Sequence, residues 1–247
     1  MPLRALLFDV GETLWHAPAP PPPQEFRRLA TERAGPVLAA LGVDAIDTDR
    51  ITRVAWDAID PAMRKARHGD LKEPDYVAAV QDALRTIDVE LPRNGVEVLL
   101  ETIYVSGAEA GKIAYPGARE VLDTLKARGF LLATATNRAF GGRRFRCDLA
   151  ECGLDIGWDT HAVSIEVGYL KPHPAVFEHA LRELAVAPEQ ALMVGNSLKE
   201  DVAGAQPLGI ATAWRRSRPD AEGVTPDYTF DELHELLDIP GLEAAGD

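Results

Sequence analysis

Four segments of this 247-residue chain bring apolar runs up to side chains that could do chemistry together. LLFDVGETLW ends its run on Asp9 and passes through Gly11 to a hydroxyl, and FLLATATN ends on Thr136 and Asn137. HAVSI precedes GYLKPHP with Lys171, and ALMVGNSLKED leads to Asn196 and Asp201. A carboxylate, a hydroxyl, an ammonium and a second acidic group suit the transfer of an anionic group. Aspartate is a poor nucleophile in water, yet it can attack phosphorus once its charge and the substrate's are neutralised, giving an acyl phosphate that water cleaves. Thr136 can donate to a phosphoryl oxygen, and Lys171 can set a positive point charge beside nucleophile and transferring group. Asp201 can balance Lys171 or bind a metal, and Mg²⁺ suits an all-oxygen site of this size.

Each residue also has a plainer reading. An aspartate after a strand caps turns, a lysine is by default a solvated surface charge, and Asp201 near a helix start is a natural dipole partner. The KPHP context argues against the surface reading of Lys171, because it forces an extended turn that fixes the lysine before a helix begins. His173 reads as structural. Trp15 and His16 either line an entrance or pack beneath the neighbouring insertion. NRAFGGRRFR sets Arg138, Arg143, Arg144 and Arg146 after the second segment. They could steer an anion or form an exposed basic helix face, and Arg138 alone is close enough in sequence to be a substrate ligand.

The elements that must position these groups follow from periodicity. Continuous apolar runs over 3–8, 130–136, 161–165, 191–195 and 210–214 read as strands buried on both faces. Helical spacing separates them, as in Val121, Leu122 and Leu125 or Val176, Phe177, Ala180, Leu181 and Leu184. That rhythm predicts an α/β fold, a doubly wound parallel sheet with right-handed crossovers. Functional groups then gather at the carboxyl ends of the strands. Between Trp15 and Ala114 no buried strand is legible; helices over 24–41, 49–59, 61–67, 73–87 and 93–109 make an inserted all-helical domain. PAPPPP reads as a stiff spacer into it, with a proline-recognition ligand as the alternative. The sheet-bearing domain is therefore placed at 1–16 and 115–247, and the helical one at 17–114.

A net charge of −13 and a pI near 4.9 repel phosphate backbones and anionic lipid, so the expected partner is a small anionic molecule rather than nucleic acid or membrane. Cys147 and Cys152 lack metal-site spacing and read as free thiols of a reducing, cytoplasmic compartment. A monomer or homodimer is expected.

Together the four segments, in this order, resemble the motifs of the haloacid dehalogenase-like hydrolase superfamily over essentially the whole chain. FDVGETL is similar to its first motif, TATN to the second, the KPxPxxF setting of Lys171 to the third, and GNSLKED to the fourth. The resemblance implies a Rossmann-like core with a type-one helical cap after the first motif, which closes over the crevice and selects the substrate. It implies Asp9 as nucleophile and Thr136 and Lys171 as its catalytic partners; Asn137 and Arg138, next along the second segment, are the candidate substrate-binding residues. Mg²⁺ would be held by Asp9, the Gly11 carbonyl, Asn196 and Asp201.

Two positions depart from the pattern. Gly11 stands where phosphatases of the superfamily carry an aspartate that protonates the leaving oxygen, a group worth ~10²–10⁴ in rate. Glu12 is adjacent, but its side chain is expected to point away from Asp9. Asn196 replaces a second aspartate, keeping an oxygen and losing a charge. The resulting expectation is a Mg²⁺-dependent phosphatase acting on good leaving groups through an aspartyl phosphate. Two alternatives stay open: a carbon–halogen hydrolase, whose halide needs no acid, and a non-catalytic binding or regulatory protein. GNSLKED keeps the phosphatase spacing. A phosphonatase would need an imine-forming lysine, and the insertion's only candidates, Lys65 and Lys72, have no supporting context; specificity residues are expected in its loops, including 63–70.

Overall fold

A computed structural model describes residues 2–43, 47–217 and 219–244. The chain divides into two compact units, one of 1–18 with 112–247 and one of 19–111.

The first unit is built on strands β1 (Ala5–Phe8), β2 (Trp15–His16), β3 (Ile113–Ala114), β4 (Leu131–Thr136), β5 (Thr160–Val163), β6 (Ala191–Gly195), β7 (Ala211–Arg215) and β8 (Tyr228–Phe230). Among the described residues, six of them form one parallel sheet in the order β5-β4-β1-β6-β7-β8. Every residue of β1 is fully buried because both sheet faces are covered. Leu6 and Phe8 meet the core that includes Val121, Leu122 and Leu125, whereas Ala5 and Leu7 meet the core that includes Val176, Phe177 and Ala180. Alternate residues thus serve opposite layers, and truncating Leu7 to alanine would cost about 2–5 kcal/mol. From β1 the chain builds outward through β4 and β5, then returns to build β6, β7 and β8 on the other side. The reversal falls between β1 and β6, where a doubly wound sheet opens its crevice.

β2 and β3 form a separate antiparallel ribbon with Trp15 opposite Ala114. This pairing carries residues 112–114 into the sheet-bearing unit, which the sequence reading began at 115. The sequence reading also lacked β8, a three-residue edge strand formed by pairing with β7.

The second unit consists of α1 (Pro23–Ala40), α2 (Thr48–Asp57), α3 (Ile59–Arg67), α4 (Tyr76–Arg85) and α5 (Arg93–Ile103). The proline run ends by supplying the first residue of α1, where its fixed φ suits a helix start. α1 buries Ala30, Ala34 and Leu38, one face at four-residue spacing. Asp47 and Asp75 cap α2 and α4, each accepting a main-chain N–H at 3.0 Å. α5 stops at Ile103, short of the expected 109, because Tyr104 turns extended and Arg33 donates to its carbonyl at 2.7 Å. Lys65 and Lys72 border a groove of about 780 Å³ in this unit, with Asp70 and Glu73 beside them.

Candidate functional site

The loop after β1 winds into a turn in which the N–H groups of Leu14 and Trp15 both donate to Val10, at 2.9 and 3.1 Å. This turn sets Asp9 at the strand end, 8% exposed. After β6, a π-helical turn, Leu198–Val202, carries Asp201. Ser197 caps that turn through its hydroxyl, which accepts from the Glu200 N–H at 2.9 Å, while its own N–H donates to Asp201 Oδ2 at 2.9 Å. Gly195 is required here, since a Cβ would collide with the Asp201 carboxylate.

Lys171, 1% exposed, joins the two carboxylates: its Nζ donates to Asp9 Oδ1 at 2.8 Å and to Asp201 Oδ1 at 2.6 Å. Burial lowers the pKa of its ammonium, but the charges of Asp201 and then Asp9, with their hydrogen bonds, outweigh burial and raise it. Burial pushes the Asp201 carboxyl up to about 7 against the pull of Lys171, and Asp9 adds to the rise. The two shifts oppose each other, one favouring a charged ammonium and the other a neutral acid. The geometry decides for the ion pair, because an ammonium donating to two carboxylates at these distances needs negative acceptors. Two carboxylates on one ammonium leave one negative charge in excess.

Thr13, the hydroxyl that follows Gly11 in the first segment and to which the sequence assigned no role, extends the network. Its hydroxyl is fully buried and lies 3.2 Å from Asp9 Oδ2 and 3.3 Å from Asn196 Oδ1, so it brings those two oxygens to a common point. A hydroxyl four residues after the candidate nucleophile was the available signal. The Asn196 carbonyl is held by the Trp214 indole N–H and the Ser217 hydroxyl, both at 2.8 Å.

The second segment divides its work. Thr136 ends β4, 4% exposed, and its hydroxyl has no hydrogen-bond partner among the described residues. Asn137 spends its amide on protein: its oxygen accepts from the Lys171 N–H at 2.7 Å, and its nitrogen donates to the Lys171 carbonyl and Glu200 Oε2, both at 3.1 Å. It therefore fixes the segment that carries Lys171, a use the sequence reading did not foresee. Arg138 is similarly engaged, donating to buried Asp148 at 2.5 Å and lying 5.3 Å from the Trp15 ring centroid and 5.1 Å from that of Phe145. Trp15 belongs to the core, and His173 caps the helix that follows Lys171, accepting from the Ala175 N–H at 3.2 Å.

Gly11 is open: a Cβ there would meet nothing within 4 Å. Glu12 is committed elsewhere, since its carboxylate accepts from the Tyr115 hydroxyl at 3.1 Å. Its φ of 55° is left-handed, at a cost of about 1–2 kcal/mol for a residue other than glycine.

Among the described residues no three His, Cys, Asp or Glu side chains converge as a metal site. The set here is mixed: two carboxylates and an amide oxygen, with excess negative charge and two of the oxygens brought together by Thr13. Donors that are oxygen throughout fit a hard divalent cation.

The family model for haloacid dehalogenase-like hydrolases matches residues 3–209. The chain belongs to that family. It is 27% identical over 243 residues to a glyceraldehyde 3-phosphate phosphatase of Methanopyrus kandleri, covering 96% of this chain and 97% of that protein. A phosphoserine phosphatase of Thermus thermophilus is 36% identical over 125 residues, covering 50% of this chain and 49% of the relative. A phosphatase of the family from Thermococcus onnurineus shares the fold at a TM-score of 0.58 and 24% identity, covering 96% of this chain and 97% of that one. An L-2-haloacid dehalogenase from Xanthobacter autotrophicus does so at 0.57 and 21%, covering 95% and 96%.

Proposed function

We propose that this hydrolase is a Mg²⁺-dependent phosphatase of small phosphorylated metabolites. The observation that carries the reading is the buried contact of one ammonium with two carboxylates, Lys171 with Asp9 and Asp201. The relative matched along nearly its full length is named a glyceraldehyde 3-phosphate phosphatase, which favours phosphoryl over halide chemistry.

In this reading an oxygen of Asp9 attacks phosphorus, the bond to the leaving oxygen breaks, and an aspartyl phosphate forms. Lys171 holds the attacking carboxylate in place and offsets the charge gathering on the phosphoryl oxygens. Thr136 donates its unspent hydroxyl to one of those oxygens. Water then attacks phosphorus, the bond between Asp9 and phosphorus breaks, and the water's proton leaves on the phosphate released, restoring the Asp9 carboxylate. Asp9, Asp201, the Asn196 side-chain oxygen and the Gly11 carbonyl would hold Mg²⁺, whose bound charge would lower the repulsion between nucleophile and phosphoryl group. No carboxylate stands at Gly11 to protonate the leaving oxygen, so acyl and aryl phosphates, which depart unaided, turn over faster than sugar phosphates.

Phosphate release from acetyl phosphate, p-nitrophenyl phosphate and sugar phosphates, with and without Mg²⁺, tests this, and no metal-dependent release from any of them rejects it. Gly11→Asp has room for its side chain and should raise turnover on poor leaving groups by ~10²–10⁴. Equal gains on good and poor leaving groups would contradict the missing-acid argument.

A further inference from the structure

The left-handed turn after Asp9 falls on Glu12, while the loop's glycine sits one position earlier, at Gly11, which needs neither a positive φ nor the space. Glutamate resists that backbone conformation and glycine adopts it freely. Three contacts hold it there. The Glu12 N–H donates to the Trp15 carbonyl at 2.8 Å, its carbonyl accepts from the Arg215 guanidinium at 2.9 Å, and its carboxylate accepts from the Tyr115 hydroxyl at 3.1 Å. The holders brace one another: the Arg215 guanidinium carbon lies 3.6 Å from the Tyr115 ring centroid, and His16 stacks on that ring at 4.0 Å. Arg215 ends β7 and Tyr115 follows β3, so two segments remote from the loop grip one strained residue beside its reactive groups.

We propose that Arg215 and Tyr115 are positioning residues that act through Glu12. By keeping this residue left-handed they set the direction of the Gly11 carbonyl and the seat of the Asp9 carboxylate. Strain held in place by surrounding contacts is a common device of functional loops. The activity readout of this proposal rests on the phosphatase reading.

Phosphate release by Arg215→Met, Tyr115→Phe and Arg215→Lys is the test, with Glu12→Gly as a rescuing background. Arg215→Met is expected to lower kcat by up to about 10²-fold, as small misplacements of a reacting group do. Tyr115→Phe should lower it less, and Arg215→Lys least, because lysine keeps a donor for the Glu12 carbonyl and a cation over the ring. In the Glu12→Gly background, Arg215→Met should lose most of its effect, since glycine holds the turn unaided. A fold-stabilising role alone would lower Tm without this rescue of kcat. Full kcat in Arg215→Met, or an undiminished loss in the glycine background, overturns the proposal. Should the parent protein release no phosphate, the phosphatase reading falls, and amide exchange at Glu12 decides the latch. Faster exchange in Arg215→Met supports it, and unchanged exchange rejects it.

Discussion

Two buried ion clusters follow the carboxyl ends of the sheet, and they are built to opposite plans. Around Lys171, two carboxylates share one ammonium, with a hydroxyl and an amide oxygen attached at the edge. Around Arg138, the fully buried Asp148 meets a guanidinium that Trp15 and Phe145 flank, while Lys112 lies 5.0 Å from the centroid of the same Trp15 ring. Burial pushes the Lys112 ammonium down, and Arg138 adds to the effect. The first cluster carries surplus negative charge on oxygen acceptors, which in the proposed reading would hold the cation that a phosphoryl group needs beside it. The second puts its charge against aromatic faces, where it ties the helix Gly142–Glu151 to the core beside Trp15. A buried ion pair is therefore no sign of function by itself; what matters is whether its charges balance and what closes around them.

The largest effect expected is at the nucleophile. Asp9→Asn should abolish phosphate release while leaving circular dichroism unchanged, and residual turnover near the parent rate would remove the first cluster from the chemistry. Next, Lys171→Met should remove activity and also destabilise, by about 3–5 kcal/mol in urea titration, because it leaves two carboxylates buried together without their cation. Asp148→Asn should bring a loss of similar size in stability with kcat near the parent value, since it breaks only the second cluster. A fall in kcat as deep as that of Lys171→Met would erase the distinction between the two.

The smallest effect concerns pH. His161 packs edge-on against Phe145, 5.5 Å between centroids, and lies 3.0 Å from the Thr134 hydroxyl. Burial lowers its pKa, Arg146 adds to the fall and Asp155 opposes it. The unfolded chain therefore binds a proton that the folded chain refuses. This contribution to stability is full above the unfolded value near 6.5 and is lost as pH falls through the lower folded value. His161→Gln should flatten that part of the stability profile, measured by thermal melts between neutral and acidic pH, and an unchanged slope would show that the ring does not titrate against the fold.

Much of this was legible because sheet strands covered on both faces are written as short apolar runs. Ala5–Phe8 and Ala191–Gly195 are wholly buried, and their ends carry the groups that chemistry would need. β8 was not legible because YTF alternates in burial and gains its strand character from β7. Residue types at strand ends pointed to Asp9, Lys171 and Asp201, yet could not show that the Asn137 amide is consumed by the Lys171 backbone or that Asp148 claims Arg138. Nor does spacing reveal that Arg215 reaches Glu12 across 203 positions. Such contacts belong to loops, whose geometry is decided by what the finished sheet brings near.

The ribbon of β2 and β3 has a further meaning for how the chain is assembled. Trp15–His16 and Ile113–Ala114 lie side by side, and farther along Gly111 passes so close to Ala19 that a Cβ there would stand 3.2 Å from the Ala19 carbonyl. The whole of 19–111 is thus a loop whose ends the ribbon has already brought together, so its closure entropy is met by four residues of hairpin. In the language of modular architecture, the ribbon is a socket: it closes the sheet-bearing unit on itself across the point where 19–111 leaves and returns.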